Sequence, residues 1–350
     1  FGACGNLTHV ILPETITSIS KYSFSNDSNL NSINFPQSIT DIENEAFKNC
    51  TSLVIEDLSL PNLETLGQNA FYGVSIKKIS NLGRLTALPS GGGTAVQNYG
   101  KKDVLEEVVL PETVTEIPSL SFANYISLLS IIGIDKVTSL GDRSLDGCSS
   151  IKELLLNSVV TLDNSAIIGM TGLRKLVLGE NCTTINQYNF WGMITNSVEL
   201  LSMAITPPSL AGNNNMTFCS AIYVPDASVD AYNTATNWSA YAYRIMSMFY
   251  YLGYIDFADP NVLQVLLDAG YDTDADGKIS MEEAAAVTSI GTIFGGNNVV
   301  TSFNEFKNFT GITAIPTNAF RNLTGNSKLK ELSLHPKAKI RNTHKSKNND

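Results

Sequence analysis

AFKNCTSL (residues 46–53) and SLDGCSSI (residues 144–151) are one phrase written twice, far apart in the chain. Each opens on a small residue and a large apolar one. A Cys follows three residues later, and a second apolar residue six later. SFSNDSNL (23–30) and SFANYISL (121–128) keep the same frame. AIIGMTGL (166–173) and AFRNLTGN (319–326) keep it loosely, and the chain begins inside it, with FGACGNL. Self-similarity of this kind is the signature of a repeat architecture.

The large apolar residue of each copy serves as an anchor: Phe24, Phe47, Phe71, Phe122, Leu145, Ile167 and Phe190. The steps are 23, 24, 51, 23, 22 and 23 residues. The long step reads as two units carrying a Gly-rich insertion, PSGGGTAVQNYGKKD at 89–103. Leu30, Leu53, Leu128, Ile151 and Leu173 lie six residues beyond their anchors. A short apolar run follows, often closed by Pro, as in VILP (10–13), INFP (33–36) and VVLP (108–111). A second short stretch, such as TITSI or TVTEI, leads to the next anchor. The spacing predicts a short strand, a second extended piece and a compact helical or turn segment per unit. So small a unit cannot bury its apolar face alone, and stacking joins the anchors into one core. Pro ends each strand because it has no N–H for the ladder. Cys4, Cys50 and Cys148 are expected as small buried apolar residues rather than reactive thiols.

The pattern AFxxCxxLxxVxLPxxVTxI resembles the BspA-like leucine-rich repeats of bacterial surface proteins, related to the treponemal type. The resemblance covers residues 1 to about 205. IYVPDASVDAYNTATNWSAYAYRI (222–245) looks like the segment that closes such arrays, through Val224, Pro225, Val229, Tyr232 and Trp238. The resemblance implies a curved solenoid, an export signal upstream and a role in adhesion or ligand contact. The units near 72–103 and 157–160 depart from the pattern, so irregularities are expected there. Trp238, Tyr241 and Tyr243 suit packing of the closing segment, with a sugar-stacking platform as the alternative use of the rings.

Beyond this the period changes. ADPNVLQVLLDAG (258–270) has Asp259 to cap a helix and Pro260 at its first position. SMEEAAAVTSIGTIF (280–294) predicts a second helix ended by Gly291 or by Gly295–Gly296. Between them, DTDADGKISMEEA (272–284) satisfies D-x-D-x-D-G-x5-E. Asp272, Asp274 and Asp276 offer carboxylates, Lys278 its backbone carbonyl with the side chain free for solvent, Ser280 a direct or water-borne ligand, and Glu283 both oxygens. Gly277 permits the turn and Ile279 packs inward. An all-oxygen set of this spacing fits Ca²⁺; Zn²⁺ would call for His or Cys. With no second acidic loop, the site reads as a structural brace rather than a paired sensor. VTSFNEFKNFTGITAIPTNAF then returns to the repeat idiom, with Ala319–Phe320 as anchor and Leu332 and Leu334 in a strand.

The expected architecture is an α/β solenoid of units of about 22–24 residues. Residues 1–247 form the leucine-rich repeat array with its closing segment, and 248–295 an EF-hand-like helix-loop-helix. Residues 296–335 form a restarted repeat segment, and 336–350 a basic, disordered tail. The formal charge of −10 argues against nucleic acid as partner. Five Cys without a CxxC pair give neither a zinc site nor a disulfide framework. No apolar run is long enough to span a membrane. The histidines His9, His335 and His344 lie in no catalytic pattern, and Glu106, Glu107, Glu112 and Glu116 are the only acidic group resembling a glycosidase pair. The function expected is non-catalytic: an extracellular or bacterial cell-surface binding and adhesion protein for a host, matrix or neighbouring-cell macromolecule. The alternative is a carbohydrate-binding or nutrient-capture module.

Overall fold

The structure, a computed structural model, describes residues 2–90, 98–297, 299–320, 331–333 and 339–340. The centre of the Gly-rich insertion, Leu334, His335, His344 and nearly all of the basic tail lie outside these. The chain forms two compact units, Phe1–Met246 and Ser247–Asp350.

In the first unit each anchor sits in the middle of a turn rather than in a helix. The backbone takes the left-handed conformation two residues before the anchor, at Tyr22, Glu45, Asn69, Leu120, Arg143, Ser165 and Tyr188. It does so again two residues after, at Asn26, Asn49, Gly73, Asn124, Gly147, Gly169 and Gly192. Asn and Gly occupy the second position at these seven anchors, because they adopt positive φ at low cost; in the opening copy Ala3 takes it, at φ +64°. Two such residues close together forbid helical continuation, so the helical option for this segment is not taken and the repeats form a β-solenoid. The turns stack through backbone bonds: Phe24 N–H donates to the Ala46 carbonyl (2.9 Å), Phe47 to Ala70 (2.8 Å) and Asn49 to Tyr72 (2.7 Å).

Each unit adds a rung to two parallel ladders. The first ladder runs through Val54–Ser59, Ser75–Asn81, Glu107–Val109 and Ser130–Ile132. It resumes through Glu153–Leu156, Lys175–Leu178, Val198–Ser202 and Cys219–Val224. The second ladder uses pairs such as Ser18–Ile19, Asp41–Ile42 and Thr65–Leu66, then Glu116–Ile117 through Ser209–Leu210. Registers align equivalent residues, as in Leu154↔Leu176↔Leu200. Parallel strands need a crossover, and here the anchored turn supplies it.

The anchors form the core. Phe24, Phe47 and Phe71 stack face to face, with centroids 5.2 and 5.4 Å apart. The 51-residue step contains an anchor that the sequence pattern does not display: Tyr99, fully buried and stacked on Phe122 at 4.7 Å. Leu105, six residues beyond Tyr99, is the signal that points back to it. Cys50 and Cys148 are buried, their thiols donating to the Phe24 and Phe122 carbonyls. Cys4 is exposed, contrary to expectation. The slot is closed by the turn of the preceding rung, and no described residue lies in that place for Cys4. Burial pushes the Cys50 and Cys148 thiols up to about 12 and Cys182 up to about 11. A thiol reagent applied to the native chain is expected to modify Cys4 and spare the other four, all five reacting in denaturant. Fast modification of Cys50 or Cys148 in native buffer would contradict this packing.

The closing segment ends the first core. A 3₁₀ turn at Asp226–Ser228 leads into the helix Val229–Thr234. Tyr232 and Trp238 are buried edge to face at 5.0 Å. Their polar ends are satisfied inside: Tyr232 Oη donates to the Ala204 carbonyl and Trp238 Nε1 to Pro208. Trp238 therefore packs the cap, and the sugar-platform use of it is excluded.

In the second unit the helix Pro260–Asp268 starts on Asp259, as its sequence predicts. The following helix spans only Met281–Ala286 rather than 280–294. Val287 turns into the extended region, and the β-branched pair Val287–Thr288 disfavours another helical turn. Val287 and Ile290 are drawn into the core, and Phe294 stacks on Phe320 at 5.7 Å. Ser302–Phe303 pairs with Glu331–Leu332, and Ala314–Ile315 with Lys339–Ile340, all parallel.

Candidate functional site

Residues 272–283 form the acidic loop between these two helices. One oxygen from each of Asp272, Asp274 and Asp276 lies within 4.8 Å of the others, an arrangement able to chelate a divalent cation. The loop's own amides hold the carboxylates inward. Asp272 accepts from Asp276 N (3.2 Å) and Gly277 N (2.9 Å), Asp274 from Asp276 N (3.2 Å), and Asp276 from Lys278 N (2.9 Å). Gly277 has φ +82°, which is why the sixth loop position is glycine.

Glu283 is not part of that trio. Its Oε1 accepts from Thr273 N (2.6 Å) and Oγ1 (2.8 Å), and its Oε2 from Ser280 N (2.9 Å) and Oγ (3.0 Å). Ser280 Oγ accepts in turn from Glu283 N, completing a capping box at the start of the short helix. Burial works against the Glu283 charge, but the bonds from Ser280 and Thr273 outweigh it and hold its pKa at about 2. Asp274 is shifted upward, first by desolvation and then by the neighbouring charges of Asp276 and Glu283.

Lys278 does not extend freely into solvent. Its ammonium lies over the rings of Tyr254 (4.5 Å to the centroid) and Phe249 (5.1 Å). A cation–π seat of this kind withdraws the positive charge from the carboxylates. Ile279, buried, faces the core, and Ile255 N–H donates to its carbonyl (2.8 Å). Met281 N–H donates to the Gly253 carbonyl (2.6 Å), so the residues before the first helix pair with the loop.

The other candidate surface is the outward side of the first ladder. Equivalent positions form chemical rows. Glu153, Lys175 and Glu199 stand in register, and beside them Leu155 and Val177, in a row that ends at the buried Leu201. Further up, Lys78 pairs with Glu107 (2.8 Å) and Lys77 with Glu106 (3.9 Å). Glu112 pairs with Lys136 (2.7 Å). Three of the four acids considered as a glycosidase pair are thus spent on lysines at the surface, and Glu116 stands exposed in the second ladder.

No described helix is long and apolar enough to cross a membrane. No curated protein matches the chain. Among solved structures, a leucine-rich repeat protein from Bacteroides ovatus is 16% identical, over 58% of this chain and 80% of that one, with a TM-score of 0.27. The pneumococcal vaccine antigen PcpA is 19% identical over 69% of this chain and 66% of its own, TM-score 0.38. A leucine-rich cell surface protein from Faecalibacterium prausnitzii is 20% identical over 67% and 64%, TM-score 0.37. The BspA type leucine-rich repeat region matches in six copies over residues 1–91 and 97–215. The period, the anchored turns and this match agree: the chain belongs to the BspA-type leucine-rich repeat family.

Proposed function

We propose that the chain is a non-catalytic binding module, working outside the cell or on a bacterial surface, that recognises a macromolecule through the outward face of its strand ladder. The observation that carries this reading is the rows just described. A rigid ladder presents Glu153, Lys175 and Glu199, then Leu155 and Val177, at fixed intervals, while the inward residues do the packing. A leucine-rich repeat scaffold is an architecture for binding, and its neutral-polar surface suits an exported protein. We favour a protein ligand. The rival, a glycan, draws on the exposed rings of Tyr188 and Trp191, but these meet at 80° and offer no flat platform. Panels of extracellular proteins and of glycans, probed with the whole chain, separate the two. Retention on glycans alone would overturn the protein reading.

The acidic loop is proposed as a Ca²⁺ site that braces the second unit. Asp272, Asp274 and Asp276 would supply the carboxylates, Lys278 its carbonyl, Ser280 a direct or water-borne contact and Glu283 its carboxylate. The donor set is entirely oxygen, and the trio is already gathered. Bound Ca²⁺ offsets part of the loop's negative charge and links the two helices. Residues 248–295 would then act as an EF-hand-like insert.

Adding Ca²⁺ to metal-free protein at about a hundred times its dissociation constant is expected to stabilise the second unit by ~2.7 kcal/mol. Calorimetric melting with and without EDTA reads this directly. Asp274→Ala is expected to abolish the response while leaving metal-free stability unchanged or raised, because it relieves repulsion. An identical melting curve at saturating Ca²⁺ would sink the brace. It would leave the binding face untouched.

A further inference from the structure

The first ladder is interrupted between Ser32–Ile33 and Val54–Ser59 and again, in mid-array, at a place where the rest of the stack continues. Ser130–Ile132 is the last strand of one sheet and Glu153–Leu156 the first of the next, although they belong to adjacent rungs. No backbone hydrogen bond among the described residues joins 129–135 to 152–157. The same two rungs remain bonded elsewhere. Phe122 N–H donates to Ser144 O in the turns, Ser139–Leu140 pairs with Thr161–Leu162 in the second ladder, and Ser150 Oγ donates to Ile126 O. The opening is therefore confined to the strand face.

Its cause is local. Where neighbouring rungs place an inward leucine, Leu110 or Leu156, this one has Gly133 at φ +89°. The strand stops there, a 3₁₀ turn at Ile134–Lys136 follows, and Ile134 fills the inward space. A cavity of about 290 Å³ remains, lined by both strands. Parallel strands aim alternate residues' amides and carbonyls to opposite sides. Ser130 N and the Ile132 carbonyl bond toward the 107–109 strand, while the Lys152 and Leu156 carbonyls bond toward the 175–178 strand. The N–H and C=O groups of Ile131, Glu153 and Leu155 accordingly face the opening.

We infer that this opening is an acceptor for one extended polypeptide strand of a protein partner, inserted between the two rungs and carrying a basic residue beside an apolar one. Two facing rows of backbone donors and acceptors complement an extended main chain, as in β-strand addition. The outward side chains flanking it are Ile132 and Leu155, both exposed, and the charged residues lining it are Asp135 and Glu153. Lys136, beside Asp135 in sequence, is turned away onto Glu112, while Lys175 stands in register with Glu153. An apolar side chain between Ile132 and Leu155 with Lys or Arg next along the outward face matches this lining. The inward-facing residue must be small, since Ile134 holds that space. This deepens the binding-face reading and rests on it.

The test uses the whole chain and a capped pentapeptide, Lys-Ala-Val-Ala-Lys, with hydrogen exchange resolved by residue. In the free chain the amides of Ile131, Glu153 and Leu155 are expected to exchange fast while those of Leu176 and Leu200 are protected. Peptide is expected to protect the first set. Backbone N-methylation of the peptide is expected to weaken binding about threefold to tenfold per bond lost. Replacing its lysines by glutamates also weakens it, and Asp135→Lys removes that preference. Slow exchange of Ile131, Glu153 and Leu155 in the free chain, no protection on adding peptide, or equal binding of the N-methylated form overturns the insertion. Any of these leaves recognition elsewhere on the strand face standing. Conversely, a chain that retains no extracellular protein but still protects these amides with the peptide would defeat the wider reading alone.

Discussion

Phe47→Ala is expected to destabilise the repeat unit by about 4 kcal/mol, the largest single loss in the array. Phe47 is fully buried with one ring stacked on each side, Phe24 at 5.2 Å and Phe71 at 5.4 Å. Phe35 adds an edge contact at 5.6 Å. Truncation removes both stacking partners' contacts and leaves a void that turns bonded to their neighbours cannot close. The Phe24 N–H bond to Ala46 and the Phe47 N–H bond to Ala70 keep the backbone in place. Ile167→Val, a smaller cut at the equivalent position, is expected to cost about 1 kcal/mol. Urea midpoints of the two variants provide the comparison. A loss below about 1 kcal/mol for Phe47→Ala would mean that the anchors do not share one core.

Asp259→Ala is expected to cost the second unit about 3 kcal/mol, a fall in melting temperature on the order of 15 °C for a unit of this size. This buried carboxylate is both a helix cap and a tie. Its Oδ1 accepts from Asn261 N (3.0 Å) and Nδ2 (2.8 Å). Its Oδ2 accepts from Thr301 N (2.5 Å), Thr301 Oγ1 (2.7 Å) and Ser302 N (3.4 Å). Burial opposes the charge, yet these donors outweigh it and set the pKa at about 2, below the ordinary 3.8. Glu283 is depressed likewise, from 4.5 to about 2. Groups depressed on folding stabilise the fold fully above their unfolded values. That stabilisation is lost as pH falls from about 4.5 through about 2. For Asp259 it is on the order of 2 kcal/mol. The second unit should therefore soften steeply across this window, and Asp259→Ala should flatten the profile. An unchanged acid slope in that variant would remove the carboxylate from its assigned role.

What the sequence made legible depended on whether a signal was local. The repeat was readable because every rung needs an apolar anchor and an apolar residue six places on, and composition records both. Tyr99 was hidden because the insertion displaced it from the period and Asn98, rather than Ala or Ser, precedes it. The helix predicted to Gly291 rested on an alanine-rich stretch. The sequence gives no local sign that Val287 and Ile290 are pulled into a tertiary core, and that pull ended the helix. In the acidic loop the trio of aspartates was legible from spacing alone. The engagement of Glu283 by Thr273 and Ser280 was not, since it requires knowing where a side chain turns. The opening at Gly133 was invisible for a similar reason. The irregularities were expected near 72–103 and 157–160, and one glycine in a strand does not announce a missing set of bonds.

The paired left-handed residues around each anchor bear on how such a chain can grow. Every rung hands its hydrogen bonds to the next at fixed offsets from these two positions. Duplication of a complete module by unequal crossing-over keeps asparagine and glycine in phase with them. Loss of one residue inside the turn drops a branched side chain where only they are at ease. The fold therefore tolerates length change in whole modules, and frames the gene's history in steps of that size.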